Sequence, residues 1–133
     1  MEDLNKLFKI IKIWPDNKFV LNKLASYYKS KTQYQMSLKI YKRILDHNDS
    51  NDRDLFLYAS NLDKIGKWKE ARVLFLELLK KNPQDTYTLN YLSYKLALKN
   101  KELELALDLI KKALILDPDN GYFLDTLGWV EYK

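Results

Sequence analysis

The chain has 133 residues, 47% of them hydrophobic, with three glycines, three prolines and no cysteine. That is enough chain for one domain with a core, and it excludes wholesale disorder, a turn-rich β-sandwich or barrel, a disulfide framework and a thiolate metal site. The net charge of +5 sits in residues 1–51, where ten basic residues face five acidic ones; such an end favours an acidic partner, nucleic acid or an anionic surface, although a solvated lysine face explains it more plainly.

The first predicted element lies within residues 1–17. Leu4, Leu7, Phe8, Ile11 and Trp14 fall on one helical face flanked by lysines. This suits a basic amphipathic helix on a membrane surface, or a helix packed on the segment that follows. The phase of the rest of the chain favours packing. Lys6, Lys9 and Lys12 interrupt the apolar residues, so neither a signal peptide nor a membrane span is expected, and the cytoplasm is the expected location.

The remaining elements repeat. From Pro15 to Pro83 is 68 residues, twice 34, and from Pro83 to Pro118 is 35. Each proline stands in similar punctuation, WPDN, NPQD and DPDN, and Asp49 in HNDSND marks the skipped phase. Cut on this phase, the chain gives full units at 18–51, 52–85 and 86–120, with half units at 1–17 and 121–133. The fourth position holds Leu21, Leu55, Leu89 and Leu124, the seventh Leu24, Tyr58, Leu92 and Leu127, and the eighth the small Ala25, Ala59, Ser93 and Gly128. Small residues return at Ser37, Ala71 and Ala106, followed four positions later by Tyr41, Phe75 and Ile110. Spacings of three and four are helical.

Each unit therefore reads as two antiparallel helices, A and B, running near 52–65 and 68–82 in the second unit. Thr32, Gly66 and Asn100 fall between them, where a left-handed residue is expected, and the third unit has one extra residue in that turn. Asn or Asp near 16–17, 51–52, 85 and 120 can cap the A helices. The small pairs, Ala59 with Ala71 for example, mark where A and B come close.

The 34-residue period, the Leu/small pair, the small residue in helix B and the closing proline resemble the tetratricopeptide repeat. LDPDNGYFLDTLGW is especially similar to bacterial members. The resemblance covers essentially the whole chain, with three departures: Asp3 where a small residue is usual, Asp49 in place of proline, and Glu131 in place of an apolar residue. It implies an all-α solenoid of three full repeats flanked by two half repeats. It also implies a concave groove, lined by the A helices, that holds an extended or helical peptide of another protein. The residues at the groove positions are Phe19, Asn22, Ser26 and Lys29, then Arg53, Phe56, Ser60 and Lys64, then Tyr87, Asn90 and Tyr94, and finally Tyr122, Asp125 and Trp129. Any of these aromatics can instead pack between neighbouring repeats. Some members clamp a C-terminal carboxylate with a set of Lys, Asn and Arg. Asn22 and Asn90 occupy candidate positions for this, but the required cations do not line up, and no clamp is expected.

No catalysis, cofactor, metal or small-molecule substrate is expected. His47 is the only histidine, and beside Asp46, Asp49 and Asp52 it lacks an ordered ligand spacing; an inter-repeat turn with capping side chains explains it better. Glu102 and Glu104 read as exposed helix charges, and no Gly-rich phosphate loop exists. The alternative function is RNA binding by a helical repeat using the basic N-terminal half, with aromatics for stacking; the small-residue and proline pattern fits the peptide-binding reading better. Nucleic acid and membranes are therefore not the expected partners. The stretch 121–133 is an A helix without a B, and 1–17 a B helix without an A. That is expected of a fragment of a longer array, or of chains that associate head to tail to complete a composite repeat.

Overall fold

The computed structural model describes residues 4–133. Eight α-helices form among them, with no strand: α1 Leu4–Ile13, α2 Lys18–Ser30, α3 Tyr34–Leu45, α4 Asp52–Lys64, α5 Trp68–Lys81, α6 Thr86–Leu98, α7 Leu103–Leu116 and α8 Gly121–Tyr132. The unusual residue expected at Asp3 lies outside the described residues. The chain forms two compact units, one ending at Leu74 and the other beginning at Phe75, so the division falls inside α5.

Two kinds of turn alternate, and each solves the problem of unpaired helix ends differently. The long turns before α2, α4, α6 and α8 end in a polar cap. Asn17 accepts from the Val20 N–H, Asp85 from that of Thr88, and Asn120 from those of Tyr122 and Phe123. Asn51 and Asp54 form a full capping box, each side chain accepting the other's backbone N–H, at 3.0 and 2.9 Å. The tight turns within each helix pair use backbone instead. Gln33 N–H donates to Tyr28 O, Lys67 to Leu62 and Lys101 to Leu96, each a six-residue closure at 2.8–3.0 Å. The residue before each donor is left-handed, with φ of 57° at Thr32, 86° at Gly66 and 53° at Asn100. In the third pair Glu102, also left-handed at φ 47°, takes up the extra residue as the N-cap of α7. Neither Gln33 nor Glu102 makes a side-chain capping bond.

In the first unit, Leu7 of α1 is buried with Val20, Leu21, Leu24 and Ala25 of α2 and Ile40, Tyr41 and Ile44 of α3. Leu4, Ile10 and Ile11 pack on this cluster, whereas Phe8, Ile13 and Trp14 are exposed. In the second unit the core takes Leu89, Leu92 and Leu96 from α6, Ala106, Leu109, Ile110 and Ala113 from α7, and Phe123 and Val130 from α8.

The small residues sit where helices meet. Ser37 on α3 donates its hydroxyl to the Ala25 carbonyl of α2 at 2.9 Å, and Ser93 on α6 donates to the Ala106 carbonyl of α7 at 2.6 Å. The serine is on the second helix of one pair and the first of the other. Such a bond forms only if the facing residue is small enough to let the backbones approach. Ala59 and Ala71, the corresponding pair in α4 and α5, are both fully buried. Ala71→Leu is expected to overpack this position and cost roughly 1–3 kcal/mol. An unchanged melting temperature in a thermal scan would remove Ala71 from the helix contact.

Candidate functional site

In the first unit α2 and α4 border a cleft. A cavity of about 500 Å³ is lined by Ser26, Lys29, Ser30, Tyr34, Tyr41, Arg53, Leu57 and Lys64. A second, of about 380 Å³, shares Ser26, Tyr41, Arg53 and Leu57 with it and adds Phe19, Asn22 and Lys23. The two share a wall, and Phe19, Asn22, Ser26, Lys29, Arg53 and Lys64 are among the residues that line them. Phe19 is 69% exposed, and Asn22 turns its amide N–H back to the Lys18 carbonyl. Phe56 and Ser60 behave differently. Phe56 is only 7% exposed, and Ser60 is buried with its hydroxyl donated to the Leu57 carbonyl, so neither offers surface to a ligand.

Sequence reasoning missed Tyr34 and Tyr41 as cleft residues. Tyr41 stands at a helix B core position and is almost wholly buried, yet it reaches both cavities. Burial pushes the pKa of its hydroxyl up, against the opposing effects of a hydrogen bond with Ser26 and the charge of Arg53, so the group stays protonated. Lys29 is held below the ordinary lysine range, first by burial and then by the neighbouring positive charges of Lys64 and Arg53. At the mouth of the cleft Lys18 is ion-paired with the buried Asp54 at 2.7 Å and donates to the Asp49 carbonyl at 2.9 Å.

In the second unit Tyr87, Asn90 and Tyr94 share one face of α6. Tyr87 is exposed, Asn90 and Tyr94 are partly so, and the Asn90 amide oxygen is buried without a hydrogen-bond partner. On α8, Asp125 and Trp129 line a cavity of about 460 Å³ with Gly128 and Tyr132, and Tyr122 is exposed. Trp129 and Tyr132 meet edge to face at 6.3 Å between ring centres.

The HNDSND segment forms a turn. His47 Nδ1 lies 3.7 Å from Asp49, and Arg43 reaches back to the Pro15 carbonyl and to Asp16. No group of three His, Cys, Asp or Glu side chains is placed to share a metal ion among the described residues. No helix among them is long and apolar enough to cross a membrane.

Helix pairs at a 34-residue spacing, closed by left-handed tight turns and joined by capped long ones, define an all-α helical-repeat protein. The chain has the tetratricopeptide-repeat fold. It is similar to a tetratricopeptide repeat protein from Parabacteroides merdae (TM-score 0.82, 18% identity), with 96% of this chain matching half of that one. A MamA fragment from Desulfovibrio magneticus RS-1 has a TM-score of 0.80 at 18% identity, covering 97% of this chain and 72% of that one. The first repeat domain of Spaghetti (RPAP3), solved with the HSP90 peptide SRMEEVD, has a TM-score of 0.73 at 18% identity, covering 86% and 90%. No protein-family model and no curated protein sequence matches the chain.

Proposed function

We propose that this chain is a non-catalytic scaffold that holds a peptide or helix of another protein on its A helices, α2 and α4 in the first unit or α6 and α8 in the second. The observation that carries this reading is the face of α6 on which exposed Tyr87 stands with partly exposed Asn90 and Tyr94. An asparagine amide can pair with both the N–H and the C=O of a peptide backbone. Tyrosines supply contact area at small entropic cost. The peptide held by the similarly folded Spaghetti domain supports the same use of the fold here.

The test is recovery of partners from source cells on immobilised protein, wild type against Asn90→Ala/Tyr94→Ala. Loss of a specific partner with unchanged helicity is the expected result, and equal recovery by both proteins would count against the α6 face. Phe56 is unsuited to this test, because its removal would be read as lost stability. Head-to-tail self-association is the second use open to the exposed residues of α1 and α8. Light scattering on a sizing column is expected to give a constant monomer mass as concentration rises; a climbing mass would favour composite repeats.

A further inference from the structure

α1 packs on the helices that follow it, as its phase predicts, but through one face only. Leu7 is buried, and Leu4, Ile10 and Ile11 lie against the same cluster. The helical period carries Lys6, Lys9 and Lys12 to the other side, where all three are exposed. None of them lies within ion-pair distance of a carboxylate among the described residues. No acidic residue stands between Leu4 and Pro15, and Glu2 and Asp3 ahead of them lie outside the described residues. Asp16, just beyond the helix, is met by Arg43 of α3 at 3.4 Å. The outer face of α1 is therefore basic. It is also apolar at one end. Ile13 falls among the lysines and is 65% exposed, and Trp14 beside it is 59% exposed. Trp14 is not a loose end. Its N–H donates to the Ile10 carbonyl, its own carbonyl accepts from Asn17, and Arg43 holds the Pro15 carbonyl. A fixed turn thus presents an isoleucine and an indole to water beside a row of lysines.

We propose that the outer face of α1 binds an anionic lipid surface, with Ile13 and Trp14 entering the headgroup boundary and Lys6, Lys9 and Lys12 on the lipid charges. Indole rings suit that boundary, being apolar with one polar N–H. Lysine stems can lie along it while the ammonium groups stay at headgroup level. Two apolar side chains bury too little area to hold alone, and exposed lysines are screened by salt, so the two act together and the attachment is reversible. A nucleic acid would use the lysines but leave Ile13 in water. None of these residues lines the cavities described above, so the surface is separate from the peptide groove.

The experiment is sedimentation of the full chain with vesicles of phosphatidylcholine alone, or of phosphatidylcholine with about one-third phosphatidylglycerol, helicity being checked by circular dichroism. Wild type is expected to bind the anionic vesicles, less as salt is raised, and to leave the neutral ones in solution. Lys9→Gln/Lys12→Gln is expected to weaken binding at least about tenfold. Lys111→Gln/Lys112→Gln on exposed α7 positions makes the same change in net charge and is expected to keep wild-type binding. Ile13→Ser/Trp14→Ser keeps every lysine and is expected to weaken binding too, with loss of the blue shift in tryptophan emission that wild type shows on the vesicles. A folded wild type that ignores anionic vesicles overturns the proposal, as does equal weakening by the α1 and α7 lysine pairs. Binding that needs the α1 lysines but is untouched by Ile13→Ser/Trp14→Ser, and is displaced by dodecauridylate, assigns the face to polyanions such as nucleic acid and overturns it as well. The scaffold reading of the A helices stands or falls apart from these results.

Discussion

Phe75→Ala is expected to destabilise the chain by roughly 3–5 kcal/mol, a large part of the about 5–15 kcal/mol that holds a small domain together. Phe75 is fully buried, and its ring meets Tyr91 at 5.3 Å between centres with the planes inclined by 47°. Truncation removes the transfer energy of the ring, loses the ring contact and leaves a cavity that helices fixed by their turns can only partly close. Urea unfolding followed at 222 nm should show a midpoint well below wild type. The control is Val73→Ala, two residues away and half exposed, where little change is expected. If the two variants unfold together, Phe75 is not a core residue.

Asp54→Ala is expected to cost about 2–3 kcal/mol, more than an ordinary charged residue near a helix start. Its carboxylate does two things at once. It completes the capping box with Asn51, worth about 1 kcal/mol, and it neutralises Lys18 across the α2–α4 boundary at 2.7 Å while almost wholly buried itself. Removing it leaves the Asn51 N–H without that acceptor and Lys18, only one-fifth exposed, without its counter-charge. Lys18→Met keeps the capping box and should cost less, about 1 kcal/mol. A double-mutant cycle on the pair, read by denaturant midpoints at low and high salt, isolates the ionic part. An Asp54→Ala effect no larger than that of the exposed Asp119→Ala would show that neither contact stabilises the fold.

Much of this architecture was legible in the sequence because helix pairs leave regular marks. Three prolines and one Asp in a common phase fixed the period, and Asn17, Asn51, Asp85 and Asn120 now stand as the caps expected of them. The small residues of the paired helices announced close approach, though not that Ser37 and Ser93 would use it for hydrogen bonds in opposite directions. The site was less legible. Asn22, Phe56, Asn90 and Asp125 share one phase, but an apolar ring accepts whatever cover its neighbours offer, while polar groups stay at the edge. Phase alone could not separate buried Phe56 from the others. Phase did set Lys29, Arg53 and Lys64 on one groove, but not the Tyr34 and Tyr41 that line the same cavity from α3.

The tight turns also tell a protein engineer where to begin. Gly66 already fills its left-handed slot with the residue that suits it, and a side chain there would meet open space but strained backbone. Thr32 holds the same slot with a β-branched residue, and Glu102, the N-cap of α7, holds another left-handed position with a charged one; neither lines the cavities described above. Glycine at both would relax the backbone and leave the side chains that line those cavities as they are. A hardened version of this repeat, fit for grafting new specificities onto its A helices, is two codons away.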